Sequence, residues 1–387
     1  MAKERLLTGD FMMLTVSNFL MAVAFYFITP VMSIFMVDTF NSGKDEVGYV
    51  LFAFALAAVL VRPFMGYLLD SRNRYVVYLI AFVLFTTSFL GYPIAFSFLF
   101  LLLLRFYHGI TWGAVSTAGN TLAVDLISES RRGEGLGIFG LSMTVAMAVG
   151  PAIAMSMSLS MGYKALFYAA VVFCVVGLLL AFLIQAPKRT HRKRKFSLQA
   201  LFSRQTLPIA MNVLLTQIPY GGIISFIALY GREIGVMNSS LFFVLLSAGI
   251  LSSRVVSGRI FDRTGPRNVM LVGIVLVAAA LVSLGVFASP GGFHFTAVIL
   301  GIGFGIISPT FQAMANNKIA PEKRGAVNST YLTFFDTGVG IGMLLFGILF
   351  ETIGYAETFY LSAGIQFIAL LFFLTVTLPQ YNRFVRK

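Results

Sequence analysis

Charge is what this chain has least of. Asp, Glu, Lys and Arg make up 11% of its 387 residues against 58% hydrophobic ones, where a soluble domain carries about a quarter charged. With a mean hydropathy of +0.89, that scarcity excludes a water-soluble globular protein and points to the bilayer. Cysteine is nearly absent. The single Cys174, inside an apolar stretch, excludes an intramolecular disulfide and a cysteine metal cluster. No metal-ligand spacing, nucleophile elbow, phosphate loop or ATP-binding signature occurs, so no enzyme, cofactor or metal is expected. No short apolar run with a small-residue cleavage site opens the chain, so the first apolar span is expected to be retained. Long loops are missing too: outside one basic segment every connection is short, which leaves no room for a separate soluble module.

What the chain has is long apolar runs. A bilayer-spanning helix needs about 20 mostly apolar residues, and twelve such stretches are expected near 11–36, 47–69, 75–95, 97–122, 134–158, 164–186, 207–230, 240–261, 268–288, 293–316, 325–350 and 357–378. They are too long and too uniformly apolar for the alternating strands of a membrane barrel, about 10 residues each. The net charge of +13 invites a nucleic-acid reading, but the placement of the positive residues argues otherwise. Lys3, Arg5, Arg72, Arg74, Arg131, Arg132, the run from Lys188 to Lys195, Arg204, Arg259, Arg263, Arg267, Lys318, Lys323, Arg324, Arg383, Arg386 and Lys387 fall on one side of the twelve-span layout. The other side holds Lys44, Lys164 and Arg232. That asymmetry places both termini in the cytoplasm of a multi-pass protein of the plasma (bacterial inner) membrane. The partners expected are the lipid bilayer, protons and a small-molecule substrate, with no nucleic acid, for a chain working as a monomer.

The sequence repeats itself. Arg62, Gly66 and Asp70 return as Arg254, Gly258 and Asp262, 192 positions on, and the same offset carries Gly109, Gly113 and Ser116 to Gly301, Gly305 and Ser308. Arg132 and Gly133 return as Arg324 and Gly325, and Gly162, Tyr163, Phe167 and Tyr168 as Gly354, Tyr355, Phe359 and Tyr360. A constant offset with identical internal spacing means an internal duplication. The expected fold is therefore all-α, with twelve transmembrane helices as two parallel six-helix repeats. Residues 1–186 form one bundle, 207–387 the other, and 187–206 a basic cytoplasmic linker in which Phe196 to Phe202 is a candidate surface helix. Parallel repeats are related by an axis along the membrane normal and hold substrate near the midplane between the halves.

Chemistry concentrates in a few places. After the second span come Gly66, Asp70, Arg72 and Arg74; after the eighth come Gly258, Asp262, Arg263 and Arg267. An acid at a helix end followed by bases can pair with neighbouring helix termini and hold a gate closed, while glycine lets helices approach. Ordinary loop charge explains the arginines but not the matched acids and glycines. Arg62 and Arg254, two turns before the acids, suit a gate or packing role, and Asp125 could pair with the gate arginines. In the fourth span Arg105 and His108 share a helix face; Arg105 either faces the bundle interior or reaches the outer surface. Ala297 holds the repeat-related place. Asp336, in the eleventh span, is the acid nearest the bilayer centre, read either as a proton carrier or as a structural partner among glycines. Asn18, Tyr26, Asn120, Gln217, Tyr220, Gln312 and Asn316 are polar groups that line a cavity or bridge helices.

The paired loop motifs resemble those of the major facilitator superfamily, and the likeness runs over essentially the whole chain. The Arg105 motif and the glycine-rich fifth span ending in Gly150 and Pro151 resemble its drug/proton antiporter branch, although Ala154 and Met155 stand where that pattern has further glycines. The resemblance implies proton-coupled export of a small molecule, with Asp336, Arg105 and His108 as coupling residues; the alternative is a proton-coupled uptake symporter of a small polar solute. The first span has no acid between Asp10 and Asp38, where many cation-exporting members carry one, so a neutral, zwitterionic or anionic substrate is expected.

Overall fold

Apolar runs of this length can satisfy their backbone groups without water only by coiling into helices. The computed structural model describes residues 7–128, 131–185, 203–317 and 324–386; the side chains of Asp70 and Asp262, and the expected surface helix at 196–202, lie outside the described part. The helices are α1 Gly9–Phe40, α2 Lys44–Ser71, α3 Arg74–Leu90, α4 Phe98–Leu126, α5 Arg132–Phe182, α6 Leu207–Glu233, α7 Ser240–Thr264, α8 Pro266–Val286, α9 Pro290–Asn316, α10 Arg324–Thr352, α11 Tyr355–Phe372 and the short α12 Leu378–Arg386. Tyr92–Ile94 forms a single 3-10 turn between α3 and α4. No strand occurs among the described residues, and eleven of the helices, α1 to α11, are long and apolar enough to cross a membrane.

Eleven rather than twelve follows from α5. Its 51 residues would run about 77 Å at 1.5 Å each, more than twice a hydrocarbon core of about 30 Å. Gly162 (φ 79°, ψ 170°) interrupts its helical course, so the runs expected at 134–158 and 164–186 lie in one element broken at a single residue. Gly354 (φ 92°, ψ 178°) caps α11 in the same conformation, one that only glycine adopts without strain. The two glycines stand 192 positions apart.

The same offset recurs in packing. Ser97 caps α4 by accepting from the Phe100 amide, and Ser289 caps α9 by accepting from that of Gly292. Gly113 lies against Ala58 and Val61; Gly305 lies against their counterparts Ile250 and Ser253. Gly150 approaches Tyr26, and Gly342 approaches Ile218, again the counterpart. In each case an added Cβ would meet the facing helix, so backbones at these crossings are as close as small residues allow.

Two compact units result, Met1–Val31 with Leu56–Phe196, and Met32–Ala55 with Ser197–Lys387. In the second, α6 and α10 meet through glycines on both sides: Gly221 and Gly222 against Val339 and Phe346, Gly338 and Gly342 against Leu214 and Ile218. α10 turns Gly340 and Gly347 to another neighbour, touching Ala55 and Gly48 of α2. The end of α11 widens into a π-turn over Phe373–Thr377. The Asn212 amide of α6 braces this turn, donating to the Ala369 carbonyl (3.0 Å) and accepting from the Phe373 amide (3.1 Å).

Candidate functional site

The first unit buries a cation. Arg105 and His108, one turn apart on α4, are both fully enclosed, so Arg105 does not reach outward to the surface. What joins them is a residue that the sequence did not single out. Tyr92, on the turn before α4, has its hydroxyl 2.7 Å from His108 Nδ1 and accepts from Arg105 Nη1 at 3.5 Å. The Tyr92 ring stacks on Phe167 of α5 (5.3 Å). His108 meets Phe85 at 5.1 Å and the edge of Phe89 at 4.8 Å, and Phe25 of α1 stacks on Trp112 at 4.0 Å. The guanidinium thus sits in an aromatic compartment whose low polarity strengthens every electrostatic interaction inside it.

The acid lies in the second unit. Asp336 stands twelve residues into α10, about 18 Å along the axis, half-buried with its Oδ2 enclosed by protein. The same unit carries further polar groups on α6, α7, α9 and α10. Tyr331, a turn and a half earlier on α10, donates to the Ser308 carbonyl of α9 (3.0 Å) and lies within electrostatic range of Arg254 on α7. Gln217 of α6 reaches the Ser308 hydroxyl at 3.4 Å. Tyr220 sets its ring against the edge of Phe304 (5.0 Å) and 6.5 Å from Phe335. The second unit thus holds an acid on α10, an arginine on α7, an amide on α6 and tyrosines on α6 and α10.

Of the gate residues, Arg74 and Asp125 come together: Arg74 Nη1 donates to both carboxylate oxygens at 2.9 and 3.0 Å, and its Nε donates to the Leu69 carbonyl (3.1 Å). Asp125 is nearly buried there, and about a quarter of the Arg74 side chain stays exposed. Arg72, Arg263 and Arg267 are exposed, and Gly66, Arg62 and Arg254 half-buried. Around Gly258 an added Cβ would meet nothing within 4 Å among the described residues, unlike the glycines at the helix crossings. Gly150 does pack as a small residue should, on Tyr26 and Val23 of α1. Pro151 continues α5, whose break falls at Gly162 instead.

The polar candidates divide. Asn18 is buried and donates to Ser142 of α5 (2.9 Å), bridging helices, whereas Asn120 and Gln312 are exposed. Asn120 folds back on the Ser116 carbonyl (2.9 Å). Asn316 donates to Asn328 (3.0 Å), and Tyr26 is half-buried.

Within the second unit the ends of α1 and α2 are fastened to α6 and α10. Arg232 pairs with both oxygens of Asp38, at 2.7 and 3.1 Å. The Lys44 amide donates to Glu351 (3.2 Å), and its ammonium lies 4.5 Å over the Tyr355 ring. Asp38 and Arg232 are 194 residues apart, and no local spacing announces the pair. The signal available was the sparseness of charge at that end of the spans.

Comparison with known proteins fits this architecture. The model of the Major Facilitator Superfamily matches residues 14–341 and 293–386. An uncharacterized MFS-type transporter of Methanocaldococcus jannaschii is 24% identical, covering 93% of this chain and 94% of its own. The staphylopine export protein of Staphylococcus aureus is 18% identical (91% and 93% covered). The quinolone resistance protein NorA of the same species is 23% identical (90% and 91%). A crystal structure of a POT family transporter in complex with 5-aminolevulinic acid superposes with a TM-score of 0.80 at 14% identity, covering 96% of each chain. A model matched over most of the length, helices that cross the bilayer and relatives that carry solutes rather than catalyse have one reading: the chain belongs to the major facilitator superfamily, as a multi-pass secondary transporter and not an enzyme.

Proposed function

We propose that this transporter exports a small molecule in exchange for protons by alternating access, and that Asp336 carries the proton. The observation that carries the reading is the half-buried carboxyl group partway along α10. A carboxylic acid at that depth is costly and is read by default as functional. Its repeat-related place holds Thr144, so the duplicated fold does not call for an acid there. Arg105 is the fixed positive charge of the first copy. Export is supported by relatives named for export and for drug resistance. The absence of an acid between Asp10 and Asp38 favours a neutral, zwitterionic or anionic substrate, with Gln217, Tyr220, Tyr331 and Arg254 as its contacts.

The twelve spans of this proposal count α5 as two, divided at Gly162, and make two parallel six-span copies, 1–186 and 207–387. Both termini, the 187–206 linker and the loops of Asp70 and Asp262 then face the cytoplasm. Arg72, Arg74, Asp125, Arg263 and Arg267 serve the gate at that face. The fastening of Asp38 to Arg232 belongs to the outer face and must open and reform in each cycle.

Substrate-induced proton movement in reconstituted vesicles tests the mechanism. Asp336→Asn should abolish gradient-driven accumulation while leaving counterflow exchange partly intact, since binding and coupling are separable free energies. Unchanged proton flux in that variant would assign Asp336 to packing. Direction is tested separately, because fold does not carry it: accumulation in everted vesicles under an inward-acid gradient is expected, and its failure there with success in right-side-out vesicles would make the protein an uptake symporter.

A further inference from the structure

Tyr92 has no part in the motifs, yet it is the hub of the buried charge. Its hydroxyl contacts two groups of different hydrogen-bonding character. The Arg105 guanidinium can only donate, so at 3.5 Å the Tyr92 oxygen is the acceptor. The phenol keeps one hydrogen, and 2.7 Å away is His108 Nδ1. If Nδ1 held a proton, the oxygen would accept from both neighbours and the phenol hydrogen would lose that partner in a place where Tyr92 is 1% exposed. If the ring were an imidazolium, two cations would face one oxygen inside a wall made by Phe85, Phe89 and Phe25, where like charges repel most strongly. The arrangement that satisfies the hydroxyl has Tyr92 donating to a bare Nδ1.

The second copy shows that the fold does not require this trio. The places related by 192 to Tyr92, Arg105 and His108 are Leu284, Ala297 and Leu300, all fully buried. There the Leu284 carbonyl accepts from the Tyr230 hydroxyl (2.6 Å), and uncharged residues hold the places of Arg105 and His108. A buried guanidinium beside Tyr92 and His108 is therefore an addition to the scaffold.

We propose that Tyr92 is a positioning residue of the coupling site: it fixes His108 as the neutral, Nε2-protonated tautomer and holds the Arg105 guanidinium in place, so that His108 orients and does not carry the transported proton. The tautomer stands on geometry alone; its part in coupling rests on the proton-driven reading above. Among the groups facing the His108 ring are Tyr92 from the turn, Arg105 from α4, Phe85 and Phe89 from α3 and Phe25 from α1.

The chain has three histidines, so a His191→Gln/His294→Gln variant leaves His108 alone. Nitrogen-15 NMR of that protein, histidine-labelled and reconstituted in bilayers, should show an unprotonated Nδ1 and a protonated Nε2 throughout about pH 5–8, the range in which an ordinary histidine changes charge. Adding Tyr92→Phe should shift the Nδ1 signal. A protonated Nδ1, or an imidazolium appearing within that window, overturns the assignment. In vesicles, Tyr92→Phe should lower substrate-induced proton movement several-fold, and His108→Asn, whose side-chain oxygen can still accept from Tyr92, should lower it less than His108→Leu, which cannot accept. Loss of proton movement in His108→Asn with exchange retained would make His108 the carrier and sink the positioning role. Absence of proton movement in the unaltered protein would overturn the coupling reading and with it the coupling role of Tyr92, while leaving the tautomer to its own measurement.

Discussion

Asp125→Asn removes the carboxylate whose two oxygens both accept from Arg74 Nη1. A fully buried pair broken this way costs about 3–5 kcal/mol; with Arg74 partly exposed, water recovers some of that, and about 1–2 kcal/mol is expected for Asp125→Asn. A double-mutant cycle with Arg74→Gln, read as thermal unfolding of the detergent-solubilised protein, should give a coupling of the same order. Additive losses would show that the two side chains meet without stabilising each other. At this scale the sequence is legible where a residue is out of place in lipid. Arg105 and Asp336 are such residues, and both stand where the other copy has no charge. Tyr92 is not legible, being one of fifteen tyrosines whose partners lie 13 and 16 positions away across a turn. Asp38 and Arg232 escape notice for the same reason: only the folded chain brings them together.

Among the elements, α10 is the most constrained. Its glycines face two directions, Gly338 and Gly342 toward α6, Gly340 and Gly347 toward α2. Helix pairs that approach this closely leave no room for a methyl group, so Gly342→Ala must push α6 aside. Overpacking of this kind costs about 1–3 kcal/mol. Gly258→Ala, with open space around it, should be neutral or stabilising by up to about 1 kcal/mol through helix propensity. Melting temperatures of the two variants should therefore move apart; a Gly258→Ala as damaging as Gly342→Ala would support the packing role given to Gly258 from its motif. Helix existence was readable from apolar length, and most ends agree to within a few residues. The break between the fifth and sixth spans was readable too, in the gap between 134–158 and 164–186 that holds Gly162, whereas the π-turn of α11 has no sequence sign other than the distant Asn212.

For the whole molecule, orientation is the property to measure first. Basic residues crowd one set of loops, and translocation is resisted by such charge. A reporter fused after Lys195 should be active only in its cytoplasmic form, as should one fused at the C-terminus. Activity confined to the outer side would invert the proposed topology and the role of each gate. The offset of 192 was visible in the sequence, and the same offset relates caps, positive-φ glycines and helix crossings in the folded chain. What the offset could not foretell is the partition of contacts, in which residues 32–55 join the unit of the second copy.

That partition has its tightest point where Gly48 and Gly347 meet, each occupying the space that the other's first side-chain atom would need. Neither position has a rotamer with which to absorb a change. In evolutionary terms the two sites are a single character: a substitution at one is tolerated only after its helix has moved, and that movement alters the room at the other. Drift at these two positions, 299 apart in sequence, is thereby coupled, and a relative that has changed one is expected to have changed the other.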